Sequence, residues 1–167
     1  MLVNIKGRIV IICGPVSTGK TNLGFRLVNE FALNKGEVLQ YNCTSKKEFT
    51  KEKSKQQKAI ERAVKKYEFV VIDCDGIERE ALYELIIALR LFYNGSIDLI
   101  KMALPEDLHY LYWKKNKNKK NIPEELIKKQ RADFFEEIIP NDITIKDVNE
   151  IKVRSLKRLK ITFDVNF

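Results

Sequence analysis

Residues 12–25 read ICGPVSTGKTNLGF, and within them Gly14, Gly19, Lys20 and Thr21 complete the spacing G-x-x-x-x-G-K-[ST]. The run before it, RIVIIC at residues 8–13, is continuous, apolar and β-branched, as a strand buried on both faces of a parallel sheet requires. After it, Leu23, Leu27 and Phe31 recur at helical spacing from Lys20 to about Lys35, and Gly36 offers a stop. Strand, glycine loop and helix in that order turn the pattern into a structural expectation. The glycines let the main chain wrap a phosphate with its N–H groups, and the helix N-terminus adds the positive end of its dipole. Gly14, Pro15, Val16, Ser17, Thr18, Gly19, Lys20 and Thr21 are therefore expected to hold ATP or another nucleoside triphosphate. Lys20 would bridge the β- and γ-phosphates, and Thr21 would offer its hydroxyl to Mg²⁺.

The alternation continues down the chain. Strands are expected at residues 37–41, at 68–73 (EFVVID) and at 97–103. Between them lie a helix that grows out of the Lys-rich stretch 44–55 and ends near Tyr67, and a second over residues 78–93 with Leu82, Leu85, Ile86 and Leu89 on one side. Asn94-Gly95 marks a turn, Pro105 suits a first helical turn, and Pro123 opens a helix that Pro140 closes. Residues 143–145 read as a fifth strand, and the tail 151–167, with LKITFDV, as a strand or hairpin. The order predicts an α/β chain: a three-layer P-loop NTPase fold, its mostly parallel sheet of about five strands carrying helices on both faces. With 167 residues and 44% apolar content one core suffices, so residues 1–150 are expected to form the domain and 151–167 an extension of it.

Ligands of such sheets sit beyond the carboxyl ends of the strands, so residues there are the ones to question. Asp73 ends an apolar strand about fifty residues after the glycine loop, where a carboxylate would hold the magnesium ion. Cys13, Cys43 and Cys74 follow the first three strands, and the third strand should lie between the other two. The three thiols would then meet as small buried fillers, as thiol-sensitive groups or as soft-metal ligands. An odd cysteine count does not make a disulfide framework, and no run of about 18 apolar residues occurs, which together predict a cytoplasmic protein away from membranes. The net charge of +8 suits anionic partners or a solvated surface equally. His109, the single histidine, receives no chemical role.

The loop GPVSTGKT, the strand and turn VVIDCDGIERE, and residues 104–140 together resemble the 5′-polynucleotide kinases and the small P-loop kinases grouped with zeta toxins. The similarity spans about residues 9–148, with Ile122-Pro123 in the place where that group opens a helix after a basic lid. It implies transfer of the γ-phosphoryl of ATP, with Mg²⁺, to a 5′-hydroxyl of DNA or RNA. Lys114, Lys115, Lys117, Lys119 and Lys120 would form the lid, Lys117 acting on the migrating phosphoryl and Lys114 and Lys119 on the nucleotide. The group places arginine there, and lysine lacks its planar bidentate grip. Trp113 would stack on a base, although helix packing is the commoner role for such a residue, and Arg79 would grip a substrate phosphate or equally form a surface ion pair.

One departure is larger. The group presents an aspartate after the second strand to take or orient the hydroxyl proton, and this chain reads QYNCTSKKEF there. Lys46 or Lys47 stands where an arginine follows. Losing a positioned base costs about a hundredfold to ten-thousandfold in rate. Glu48 or Asp75 has taken over, or the acceptor differs, or phosphotransfer has been lost. A small-molecule kinase acting on a nucleoside, nucleotide or sugar, and a non-catalytic module binding NTP or nucleic acid, therefore stand beside the polynucleotide kinase.

Overall fold

The computed structural model describes residues 1–32, 35–43, 50–75 and 78–165, with residues 32 and 117–120 given by their backbone alone. In chain order the elements are β1 (Leu2–Ile5), β2 (Ile9–Cys13), α1 (Lys20–Ala32), β3 (Gly36–Asn42), α2 (Thr50–Lys66), β4 (Phe69–Asp75), α3 (Arg79–Arg90), β5 (Ile97–Met102), α4 (Glu106–Lys120), α5 (Glu124–Asp133), β6 (Val148–Val153) and β7 (Lys160–Phe163). Five of the strands form one sheet in the order β3-β4-β2-β5-β6, every neighbouring pair parallel. β2 is buried at all five positions because it lies at the centre, covered on both faces.

Alternate residues of the strands feed two cores. One face packs Ile9, Ile11, Ile72 and Leu99 against Ile60 of α2, Leu82 and Leu85 of α3, and Phe134 and Ile138. The other packs Val10, Ile12, Val71 and Ile100 against Leu23 and Leu27 of α1 and Val3 and Ile5 of β1. This is the α/β P-loop NTPase architecture the sequence predicts, with β4 between β2 and β3 as expected. The chain leaves β2 towards β3 and later crosses from β4 to β5 on the other side, so the carboxyl end of β2 is a topological switch point.

The fifth strand differs from expectation. Residues 143–145 alternate apolar residues, but Ile143 turns into the core and its N–H donates to Glu150 Oε1 at 3.0 Å, so the segment is an approach to the sheet. The strand itself is the more polar VNEIKV of β6, whose edge position leaves it only half-buried. Of the strand or hairpin expected in the tail, the strand forms: β7 pairs in parallel with β1, from Leu2 opposite Lys160 to Ile5 opposite Phe163. Phe31, Phe69 and Phe163 stack beneath this ribbon, the closest ring centroids 4.5 Å apart.

Buried Asp98 on β5 anchors the β1–β2 turn. It accepts from the N–H groups of Lys6 and Gly7 and from Asn149 Nδ2, and burial holds its carboxyl above the usual range. The lysine run 114–120 is the helical end of α4, which stops where Asn121 turns left-handed (φ 47°) two residues before Pro123. α5 continues into a wider π-type turn over Phe134–Ile138, seen in the bond from Ile139 N–H to Phe134 O, before Pro140.

Candidate active site

The glycine loop, residues 14–19, joins the carboxyl end of β2 to the first turn of α1. Gly14 passes so close to β5 that a Cβ there would stand 2.7 Å from Met102 Cβ, and Gly19 has φ 85° with Leu156 Cδ1 2.8 Å from where a Cβ would be. Ser17 is also left-handed, at φ 63°, and its buried Oγ has no hydrogen-bond partner among the described residues. Thr18 Oγ1 donates to Pro15 O at 2.8 Å, which closes the loop on itself. Lys20 Nζ folds over the loop and donates to Gly14 O and Pro15 O, both at 3.0 Å. Burial lowers the Lys20 pKa, opposed chiefly by Asp73 and then by Asp75.

Asp73 faces this loop from β4. Its Oδ2 accepts from Thr21 Oγ1 at 2.5 Å and from Gln40 Nε2 at 2.9 Å, whereas Oδ1 is buried with no hydrogen-bond partner among the described residues. A buried carboxylate oxygen left unsatisfied is costly unless a cation meets it. The pair therefore fits Mg²⁺, a hard ion that takes one or two carboxylate or hydroxyl oxygens and keeps its other positions for phosphate and water. Thr21 and Asp73 are the residues that would hold it.

Around these groups opens a cleft of about 330 Å³, within the range of small-ligand sites. Lys20, Thr21, Asp73, exposed Asp75 at the tip of β4, and Asn116 of α4 line it, together with Val16, Ser17, Gly19 and Asn22 of the loop and α1. The structure thus unites the glycine loop, Lys20, Thr21, Asp73 and Asp75. Glu48, Lys46 and Lys47 lie outside the described residues, as do the side chains of Lys117, Lys119 and Lys120. Lys114 and Lys115 are exposed on α4, and from that helix it is Asn116 that reaches the cleft wall.

Trp113 and Arg79 have partners of their own. Trp113 is buried and donates from Nε1 to Ile122 O at 2.8 Å, which bears out the packing role over base stacking. Arg79 lies over the Tyr83 ring, 5.5 Å from its centroid, and lines a small cavity with Lys101 and Glu137, apart from the residues that line the phosphate cleft. The cysteines converge as the strand order requires, all free and buried, with Cys43 and Cys74 sharing a hydrogen bond. Among the described residues no group of His, Cys, Asp and Glu forms a metal cluster, so the soft-metal reading falls away.

Gln40, Asn116, Gln130 and His109 escape sequence reasoning. Gln40 sits opposite Asp73 in the parallel register of β3 and β4, a pairing visible only once the strand order is known. His109 is wholly buried, and its Nε2 donates to Val16 O at 2.7 Å. A single histidine in a polar helix carries no sequence signal of such a contact.

Fold and site together define an α/β chain of P-loop NTPase architecture. Its structure is similar to that of a gluconokinase from Sinorhizobium meliloti 1021, with a TM-score of 0.50 and 15% identity over 92% of this chain and 86% of that one. A second similar structure, APE1195, has a TM-score of 0.48 and 16% identity over 87% of this chain and 86% of that one. No protein-family profile and no curated protein matches the sequence. Among the described residues no helix is long and apolar enough to cross a membrane.

Proposed function

We propose that the chain is a Mg²⁺- and ATP-dependent phosphotransferase acting on a small hydroxylated acceptor. One observation carries the proposal: the bonded pair of Thr21 and Asp73, with Asp73 Oδ1 buried and unpartnered, stands beside Lys20 at the mouth of a glycine loop. Lys20 has two neutral carbonyls as its present partners, and a triphosphate would supply stronger, charged ones and favour the protonated amine. The backbone of residues 14–19 would cradle the phosphates, and the start of α1 would add its dipole. Thr21 and Asp73 would hold magnesium, which would supply neutralisation of the charge that develops on phosphoryl transfer. Asp75, at the outer edge of the cleft, would orient the acceptor hydroxyl and take its proton, in place of the carboxylate missing after β3.

The acceptor class draws support from the likeness to a gluconokinase, a kinase of a small sugar acid by its name, and from the lysine run that stands where the polynucleotide kinases use arginine. The second reading, transfer to a 5′-hydroxyl of DNA or RNA, is favoured by the net charge of +8 and by the resemblance over residues 104–140. Transfer of γ-labelled phosphate from ATP with Mg²⁺ to sugar acids, sugars, nucleosides and 5′-hydroxyl oligonucleotides separates the two, with Lys20→Ala as control. Label on a small acceptor, lost in the control, is the expected result. Label on oligonucleotides alone would replace this acceptor class by the second, and binding of ATP without any transfer would leave a nucleotide-binding module.

A further inference from the structure

One residue of the phosphate loop is held through both of its backbone polar groups by residues outside the cleft. The Val16 N–H donates to Gln130 Oε1 of α5 at 2.8 Å, and the Val16 carbonyl accepts from His109 Nε2 of α4 at 2.7 Å. His109 is fully buried, and its other ring nitrogen, Nδ1, has no hydrogen-bond partner among the described residues. The ring therefore gives up one hydrogen bond to water on burial and keeps one, so its main effect falls on Val16 rather than on the helix that carries it. The next residue, Ser17, adopts the left-handed backbone at φ 63°. A non-glycine residue keeps such a conformation only where its surroundings over-determine it, and the double hold on Val16 supplies that constraint.

The two helices act as a unit. Arg131, next to Gln130, donates to Leu104 O just before α4 at 2.7 Å, and Trp113 of α4 donates to Ile122 O just before α5. A shift of either helix would thus be felt at Val16. We infer that His109 and Gln130 are positioning residues for nucleotide binding: they clasp Val16 by its N–H and its carbonyl, keep residues 14–19 in the phosphate-receiving shape, and couple that loop to the α4–α5 pair. The inference rests on the nucleotide reading of the site and adds to it two residues that touch no phosphate.

Calorimetric titration with ATP and Mg²⁺ tests it on the wild type, Gln130→Leu, His109→Leu, the double variant and His109→Gln, with thermal unfolding recorded for each. Gln130 is half-buried, so its substitution keeps the test intact should His109→Leu fail to fold. Each leucine variant is expected to weaken ATP binding about tenfold, the size of one net hydrogen bond. The double variant should be no weaker than the weaker single one, since Val16 freed at one backbone group loses its hold at the other. The amide of His109→Gln reaches the same carbonyl and should restore affinity to within about threefold of the wild type. Wild-type affinity in folded Gln130→Leu, or losses that simply add in the double variant, would overturn the clasp alone. Failure of the wild type to bind ATP would overturn the nucleotide reading and the clasp with it.

Discussion

Thr21 Oγ1 lies 2.5 Å from Asp73 Oδ2, so the first turn of α1 and the far end of β4 are bonded at the point where the glycine loop opens. The bond uses one carboxylate oxygen and aims the other, buried and unpartnered among the described residues, beside Lys20. Asp73→Asn replaces an oxygen with an amide that cannot hold a hard cation. Its ATP affinity in EDTA should match that of the wild type, while the gain on adding Mg²⁺ should fall about 10- to 100-fold. Titration with and without the ion measures both, and an unchanged magnesium response would remove Asp73 from the ion's ligands.

Lys20→Met separates binding from stability. The buried ammonium donates to two carbonyls, and burial lowers its pKa against the opposing charges of Asp73 and Asp75, so the folded chain carries this charge at a cost. Methionine fills a similar volume without the charge. ATP affinity should fall by about a hundredfold or more through loss of a charge-assisted contact, while the melting temperature holds or rises. A variant that melts markedly earlier would show that the two carbonyl bonds outweigh the buried charge.

Much of this site was legible from the spacing of four residues, because a glycine loop between a buried strand and a helix has few structural solutions. Asp73 was legible too, since the apolar run EFVVI leads straight into it, although β4 continues two residues further, to Asp75. The partners of that carboxylate were not. Gln40 reaches it only through the register of β3 and β4, and His109 and Gln130 reach Val16 from helices ninety-three and one hundred and fourteen residues away in sequence. β6 was misplaced for a related reason. Ile143 and Ile145 carry the β-branched pattern, whereas the edge strand VNEIKV is recruited by pairing with β5 and by Glu150, which serves both Lys101 and the Ile143 N–H. β1, a four-residue strand, takes its form from β7 at the opposite end of the chain.

Lys101 is the buried charge on which the post-α5 segment hangs. It is wholly buried on β5, bonded to Ile138 O at 3.1 Å and Asn141 O at 3.0 Å and paired with Glu150 Oε1 at 3.0 Å. Lys101→Met would leave two carbonyls and a mostly buried carboxylate without their cation. Removing one partner of such a pair costs about 3 kcal/mol, roughly 10 °C in melting temperature for a chain of this size. Chemical and thermal unfolding would register it. ATP affinity should stay near that of the wild type, since the lysine faces away from the phosphate cleft.

His109 makes stability depend on acidity. Burial lowers its pKa below the ordinary 6.5, helped by the nearby charges of Arg131 and Lys20 and opposed by the bond to Val16. Between that lowered value and 6.5 the unfolded chain binds more protons than the folded one, so stability rises with pH through this window and is lost as pH falls. Melting temperatures at pH 5 and pH 7.5 should differ more for the wild type than for His109→Gln, which cannot titrate. An equal difference in both proteins would mean that the acid sensitivity arises elsewhere.

The three cysteines should resist thiol reagents in the folded state. Cys43 and Cys74 share a hydrogen bond, which together with burial raises the Cys74 pKa, and burial pushes Cys13 up to about 12. A thiolate is the reactive form, and at pH 8 these two groups supply almost none, behind surfaces that are closed to solvent. A disulfide-exchange reagent should therefore label the native chain at the rate of unfolding, and at full speed once denaturant is added. Rapid labelling of one cysteine in the native protein, located by mass spectrometry, would show that this strand end opens on its own and would return it to the list of reactive sites.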